Sequence, residues 1–276
     1  MRYIERDGHV ELWPEDDFDL VKIFECGQCF RWNADDSGVY TGVAMEKAAR
    51  ITQQGDMVTI TGTAADFENI WKDYFDFGKS YSDLRKSLCV DDYMTMATEY
   101  GAGIRILNQD RWEALCSFII SQCNNIPRIK KIVETLCRLY GDPVELEGET
   151  FYTFPDAARL AVLEETDLAP LRCGYRAPYI IGAARAVDSG ALDLEALSGA
   201  TLTEATKALK SLYGVGEKVA NCAILFSLRI EDAFPVDMWM KKAIKEHYNG
   251  KLDTAIFGGH SGLAQQYMFY YQRSNG

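Results

Sequence analysis

Lys218 lies in residues 202–222, LTEATKALKSLYGVGEKVANC, two positions past Gly216. The pattern predicts an amphipathic helix over 202–212, a turn at Tyr213-Gly214-Val215-Gly216, and a second helix opening at Glu217. Two glycines spaced i, i+2 permit positive φ and let backbone N–H groups approach a ligand closely. The helix start that follows adds partial positive charge, so Gly214, Val215 and Gly216 suit a phosphodiester. A short helical hairpin used only for packing has the same pattern. A cation in the first turn of a helix opposes the helix dipole. With partial burial, that repulsion favours the neutral amine, the form of Lys218 that attacks carbon. Nineteen residues on, Phe234-Pro235-Val236-Asp237 places a carboxylate where an X-Pro turn meets the predicted 237–247 helix. Asp237 is also well placed as an N-cap. An amine and a carboxylate at successive helix starts suit covalent catalysis, although spacing alone leaves open whether they share a cleft.

The elements that must position these residues change character along the chain. Residues 39–44 and 57–63 alternate in strand fashion between Gly, Asp and Asn clusters, and a helix is expected over 66–74. From about 81 the apolar period becomes 3.6; in 111–122 it falls at 112, 115, 116, 119 and 120. Asn124-Asn125-Ile126-Pro127-Arg128 carries an N-cap residue and a first-turn proline, opening a helix that runs to about Tyr140. The acidic stretch after it, with Gly141, Pro143 and Gly148, reads as a loop. Helices are expected at 156–164, 175–188, 202–212, 217–228, 237–247 and 261–272. The predicted class is α+β: an N-terminal antiparallel sheet domain over 1–95, then an all-helical helix–hairpin–helix region over 96–276.

With 276 residues, 47% of them hydrophobic, the chain can fill a sizeable core. It shows no signal-peptide pattern and no apolar run long enough to span a membrane, so a non-secreted, membrane-free protein is expected. Eight scattered cysteines suit reduced core thiols in a cytosolic protein. Cys26 and Cys29 form the one CxxC, but the three histidines lie at no partner spacing, so no metal is expected from this pair. A net charge of −12 weighs against phosphate binding until its distribution is considered. Residues 1–20 hold seven acids to two bases and 141–170 eight to one, whereas 101–140 holds six bases to three acids. Segregated acid leaves basic helical segments free for a DNA face.

The stretch LYGVGEKVANCAILFSLRIEDAFPVDMWM resembles the helix–hairpin–helix, Gly-Val/Pro-Asp DNA glycosylases, and specifically the 8-oxoguanine DNA glycosylases. So do Gly27-Gln28-Cys29-Phe30-Arg31-Trp32, the run FIISQCNNIPRI over 118–129, Gly174-Tyr175-Arg176-Ala177, and FGGHSGLAQQYMF over 257–269. These blocks keep the family's order from residue 26 to 269.

The resemblance implies a monomeric glycosylase and AP lyase on duplex DNA holding oxidised guanine, with no cofactor. Lys218 would attack C1′ and form a Schiff base, and Asp237 would orient the amine and stabilise charge at the sugar. The flipped base would meet the Gly27 carbonyl, which accepts the N7–H that guanine lacks, with Phe30 at the pocket. Phe269 and Cys222 would sandwich the ring, Gln265 would read its Watson–Crick edge, and the Pro235 carbonyl would lie nearby. Arg128 and Arg176 would read the orphaned cytosine, Tyr175 would wedge into the stack, and Asn124 would hold the distorted strand. The hairpin would grip a phosphate, and the carbonyls of Lys210, Leu212 and Val215 are candidate cation ligands.

This chain departs from the pattern at Cys123, where the family has asparagine facing the cytosine; at Tyr213, for the hairpin proline; at Asn221, for an aspartate; and at Trp239, for a histidine. Looser opposite-base selectivity is the expected consequence of Cys123. Other readings are a glycosylase for alkylated bases, which lacks the lysine, one for oxidised pyrimidines, which carries an iron–sulfur loop, and a non-catalytic DNA-binding module. No cysteine follows Cys222 to build such a loop.

Overall fold

Asp7 and Gly8 both take positive φ (50° and 77°), closing a two-residue turn that folds β1 (Arg2–Arg6) onto β2 (His9–Trp13), with Arg6 opposite His9. The computed structural model describes residues 1–276. Its main sheet has six antiparallel strands in the order β1-β2-β6-β5-β4-β3, where β3 is Asn33–Ala34, β4 Tyr40–Ala44, β5 Lys47–Gln54 and β6 Met57–Thr61. Alternation buries one face: Val10 and Leu12 on β2 and Val58 and Ile60 on β6 are at most 1% exposed.

The first helices are α1 (Leu20–Glu25), α2 (Ala64–Asp66) and α3 (Lys72–Tyr74); the last two are joined by a π turn over Phe67–Trp71. Sequence periodicity anticipates a helix here without signalling the wider turn. Then come α4 (Tyr81–Ser87), α5 (Asp92–Tyr100), α6 (Arg111–Ile120) and α7 (Ile126–Tyr140). The acidic stretch expected to be a loop folds instead into a hairpin, β7 (Pro143–Leu146) against β8 (Glu149–Tyr152). Glu147 and Gly148, at φ 52° and 84°, supply its turn, so the C-terminal part is helical but for this ribbon. The remaining helices are α8 (Ala157–Ala161), α9 (Ala177–Asp188), α10 (Leu202–Lys210), α11 (Glu217–Ser227), α12 (Met238–His247) and α13 (Ser261–Asn275). No helix is long and apolar enough to cross a membrane.

By packing the chain divides into two units, each drawn from separated stretches. One comprises 1–28, 51–108 and 229–276. Its helical core packs α13 against α5 and α12 through Met94, Ala97, Met240, Ala243, Ala264 and Tyr267, all fully buried. Arg105, 1% exposed, ties its loops together by donating to the carbonyls of Phe75, Asp17 and Asp76 at 2.7–2.9 Å. The other unit comprises 29–50 and 109–228. Here α11 packs on α6 and α10, and α8 on α9. Side-chain caps start these helices: Asp110 accepts from the Glu113 N–H, Asn125 from the Arg128 N–H, and Thr201 forms a capping box with Glu204.

Candidate active site

In the unit holding 109–228, α10 ends at Lys210 and the chain turns through Leu212, whose carbonyl accepts the Val215 N–H at 3.1 Å. Gly214 has φ +82°, and a Cβ there would fall 2.3 Å from the Tyr179 ring. Only glycine fits. Gly216, expected to need the same freedom, has φ −97° and ψ −179°, ordinary extended backbone. Its lack of a side chain matters differently: nothing lies within 4 Å of a Cβ added there, and α11 starts without a side-chain cap. No side chain of the protein takes the first N–H groups of α11, which leaves them available to an anion. Val215 is buried beneath the turn, while Tyr213 is 74% exposed and meets Tyr179 edge-on at 4.9 Å.

Lys218 sits half-buried in the first turn of α11. Its Nζ donates to Ser121 Oγ at 3.3 Å and lies 5.3 Å from the centre of the Phe118 ring; Ser121 in turn donates to the Phe118 carbonyl at 2.8 Å. The neighbouring acid Glu217 pairs with Lys210 at 2.6 Å and accepts from Asn221. Phe118 is flanked by Phe226, stacked at 5.3 Å, and by Phe30, edge-on at 5.7 Å. Phe30 is 5% exposed, and Cys222, one turn beyond Lys218, is 4% exposed. Lys218 is thus an amine held against an aromatic wall by a hydroxyl. Ser121 escaped the sequence reading because one serine at the end of an apolar helix carries no periodic signal.

The turn between α6 and α7 continues this face. Cys123 is exposed in the left-handed region at φ 46°, and Asn124 donates to the Ile120 carbonyl at 3.2 Å and accepts from the Asn125 N–H. Tyr175 is 50% exposed, with its hydroxyl 3.3 Å from the Gln122 carbonyl and burial raising its pKa, so it stays a neutral phenol. Arg176, expected to reach a base, is 3% exposed; in this conformation it donates to the carbonyls of Gln122, Cys123 and Cys173 and stacks on Tyr175 at 4.5 Å. Arg128 is exposed and donates to the Arg172 carbonyl at 3.1 Å.

The other unit carries Gly27, Pro235, Asp237, Gln265 and Phe269. Gly27 has φ +84°, and a Cβ there would come 3.2 Å from the half-buried Phe269 ring. Three residues outside the sequence-based set fix this turn. Gln28, fully buried, donates to the carbonyls of Ile23 and Arg105 at 2.9 and 2.8 Å and accepts from the Leu107 N–H at 2.9 Å. Gln266 donates to the Cys26 carbonyl at 3.0 Å, and Arg273 donates to the Glu25 carbonyl while lying 5.5 Å over Phe269. Gln28 and Gln266 stood in quoted blocks without a role, and Arg273 lies four residues past the C-terminal block. Burial pushes the Cys26 thiol up to about 11, which keeps it protonated as a core thiol.

Gln265 on α13 is 4% exposed, and its Oε1 is buried with no hydrogen-bond partner. A buried acceptor left unpaired costs about 1–3 kcal/mol. Such an atom calls for an explanation, and a ligand donor would supply one. Asp237 caps α12, its Oδ1 accepting from the Met240 N–H at 2.9 Å, so it is a structural cap with Oδ2 outside that bond. Pro235 is buried beside it, whereas Met238 is 84% exposed.

A glycine hairpin thus opens an uncapped helix that carries an amine in its first turn. The chain belongs to the HhH-GPD superfamily of base excision DNA repair proteins, whose model matches residues 116–255, preceded by an 8-oxoguanine DNA glycosylase N-terminal domain over 12–115. It is similar to a solved structure of MBOgg1 in complex with a low affinity DNA ligand: 42% identity, 99% of each chain covered, TM-score 0.94. It is also similar to Clostridium acetobutylicum 8-oxoguanine glycosylase/lyase in complex with dsDNA containing cytosine opposite 8-oxoG, at 36% identity over 100% of this chain and 98% of that one, TM-score 0.94. An N-glycosylase/DNA lyase of Saccharomyces cerevisiae is 29% identical over 83% of this chain and 68% of its own length.

Proposed function

We propose that this protein excises 8-oxoguanine from duplex DNA, preferably opposite cytosine, and then cleaves the strand at the resulting site. One observation carries the reading: the Lys218 amine is held by Ser121 in the first turn of a helix whose N–H groups are free for phosphate. The lesion base is flipped out of the stack, at an unstacking cost of a few kcal/mol. Lys218 Nζ attacks C1′, the bond from C1′ to N9 breaks, and the base leaves. Loss of a proton from the adduct and opening of the sugar give a Schiff base. Removal of a C2′ proton then expels the 3′ phosphate by β-elimination. Asp237 orients the amine and stabilises positive charge at the sugar.

The Gly27 carbonyl accepts the N7–H of the oxidised base; with guanine, two acceptors would face each other in a desolvated site. Gln265 reads the Watson–Crick edge, Phe269 and Cys222 pack on the ring faces, and Phe30 and Pro235 complete the pocket. On the duplex, Gly214, Val215 and Gly216 hold phosphate, Tyr175 wedges into the stack, and Asn124, Arg128 and Arg176 serve the opposite strand. Leu212, Val215 and Lys210 offer carbonyls to a cation at the hairpin, and the chemistry needs no other cofactor. The enzyme works as a monomer in a reducing compartment that holds DNA. Borohydride should trap a covalent protein–DNA adduct on an 8-oxoguanine·cytosine duplex, and Lys218→Gln should abolish the trap. Base release by the wild type without any adduct would refute the lysine mechanism.

A further inference from the structure

Arg172 has φ 51° and ψ 35°, left-handed backbone that crowds Cβ against the carbonyl and that glycine occupies at no such cost. It closes the short helical turn Ala169–Leu171, with its N–H bound to the Ala169 carbonyl at 3.1 Å. Its carbonyl accepts from Arg128 Nη2, but a carbonyl is common to every residue type and does not explain an arginine. The side chain is exposed and makes no hydrogen bond or ion pair. Arg111, Arg159 and Arg185 of this unit pair with Glu195, Asp142 and Glu164 at 2.8–3.1 Å, and Arg138, exposed and unpaired like Arg172, sits on ordinary helical backbone in α7. In a chain of net charge −12, a cation kept unpaired on a strained backbone needs a reason outside the folded protein. The neighbourhood supplies one, since Arg176 has turned its guanidinium inward onto three carbonyls.

We propose that Arg172 contacts a backbone phosphate of the strand that Arg128 reads, supplying the outward-facing charge that Arg176 does not. The two arginines divide the work by their restraint. Arg128, aimed by the Arg172 carbonyl, has the fixed fork that base reading requires, whereas the unrestrained Arg172 side chain follows a phosphate. This rests on the duplex-DNA reading above. The test uses the full chain and a cleavage-resistant 2′-fluoro 8-oxoguanine duplex with cytosine or adenine opposite, measuring affinity against salt. Arg172→Gly removes the charge and suits the left-handed backbone. It should lower the salt slope by about 0.9, the loss of one phosphate contact, equally for both opposite bases. Its melting temperature should be unchanged or higher, and Arg172→Lys should keep most of the slope. An unchanged slope in Arg172→Gly overturns the proposal, as does a loss confined to cytosine or a drop in melting temperature. Wild-type protein that fails to bind the duplex overturns the DNA reading itself, a result separable from the others.

Discussion

Replacing Gln265 by leucine should make the protein more stable and the enzyme worse. In the free protein the Gln265 Oε1 is buried and unpaired, on a side chain 4% exposed within α13. Leucine removes that acceptor at similar volume, so stability should rise by about 1–2 kcal/mol, the desolvation penalty less some imperfect packing. The same atom is where the lesion's Watson–Crick donors are to be read. Its loss should cost about 1–3 kcal/mol in the transition state, or about 5- to 150-fold in kcat/KM, since about 1.4 kcal/mol is tenfold. Urea denaturation followed by fluorescence gives the first quantity, and single-turnover base release on an 8-oxoguanine·cytosine duplex gives the second. Opposite signs are the signature. A leucine variant that is destabilised by more than about 1 kcal/mol would show that Gln265 is a packing residue already satisfied in the free protein. Unchanged base release would remove it from recognition altogether.

Gly214→Ala should cost about 2 kcal/mol or more, because φ +82° is strained for alanine and its Cβ would overlap the Tyr179 ring; a thermal melt reads the loss, and duplex affinity should fall with it. Glu113, on α6 beside Arg31 at 3.6 Å, is pushed by burial up to about 7 despite that cation. Its folded pKa thus lies above the unfolded value of about 4.5, so the folded state binds the extra proton between pH 4.5 and 7. Stability from this group is therefore lost as pH rises through that window, by on the order of 1–3 kcal/mol. Glu113→Gln should flatten the urea midpoint between pH 5 and 8, and an unaltered slope would refute the assignment.

Much of the fold was legible because its signals are local. Asn125 and Pro127 open α7, and the apolar period of 111–122 places the end of α6 within two residues of the observed one. The π turn at Phe67–Trp71 and the ribbon over 143–152 were not, since a wider helical turn leaves no compositional mark and Glu147-Gly148 is a weak turn pair in an acidic run. The hairpin and its lysine were visible as types at a spacing, because the helix dipole and glycine's freedom act within a few residues. What holds them was invisible. Ser121 meets Lys218 across 97 positions, Gln28 reaches Arg105 and Leu107 across 77 and 79, and Arg273 reaches Glu25 across 248. Such bonds depend on which faces pack together, and no periodicity records that. The same is true of direction: sequence supplies Arg176 as a cation near the opposite strand, and only packing decides that its donors turn inward to three carbonyls while Arg172 stays in solvent. Sequence determined which chemical groups this protein owns, and tertiary structure decided which of them are already spent.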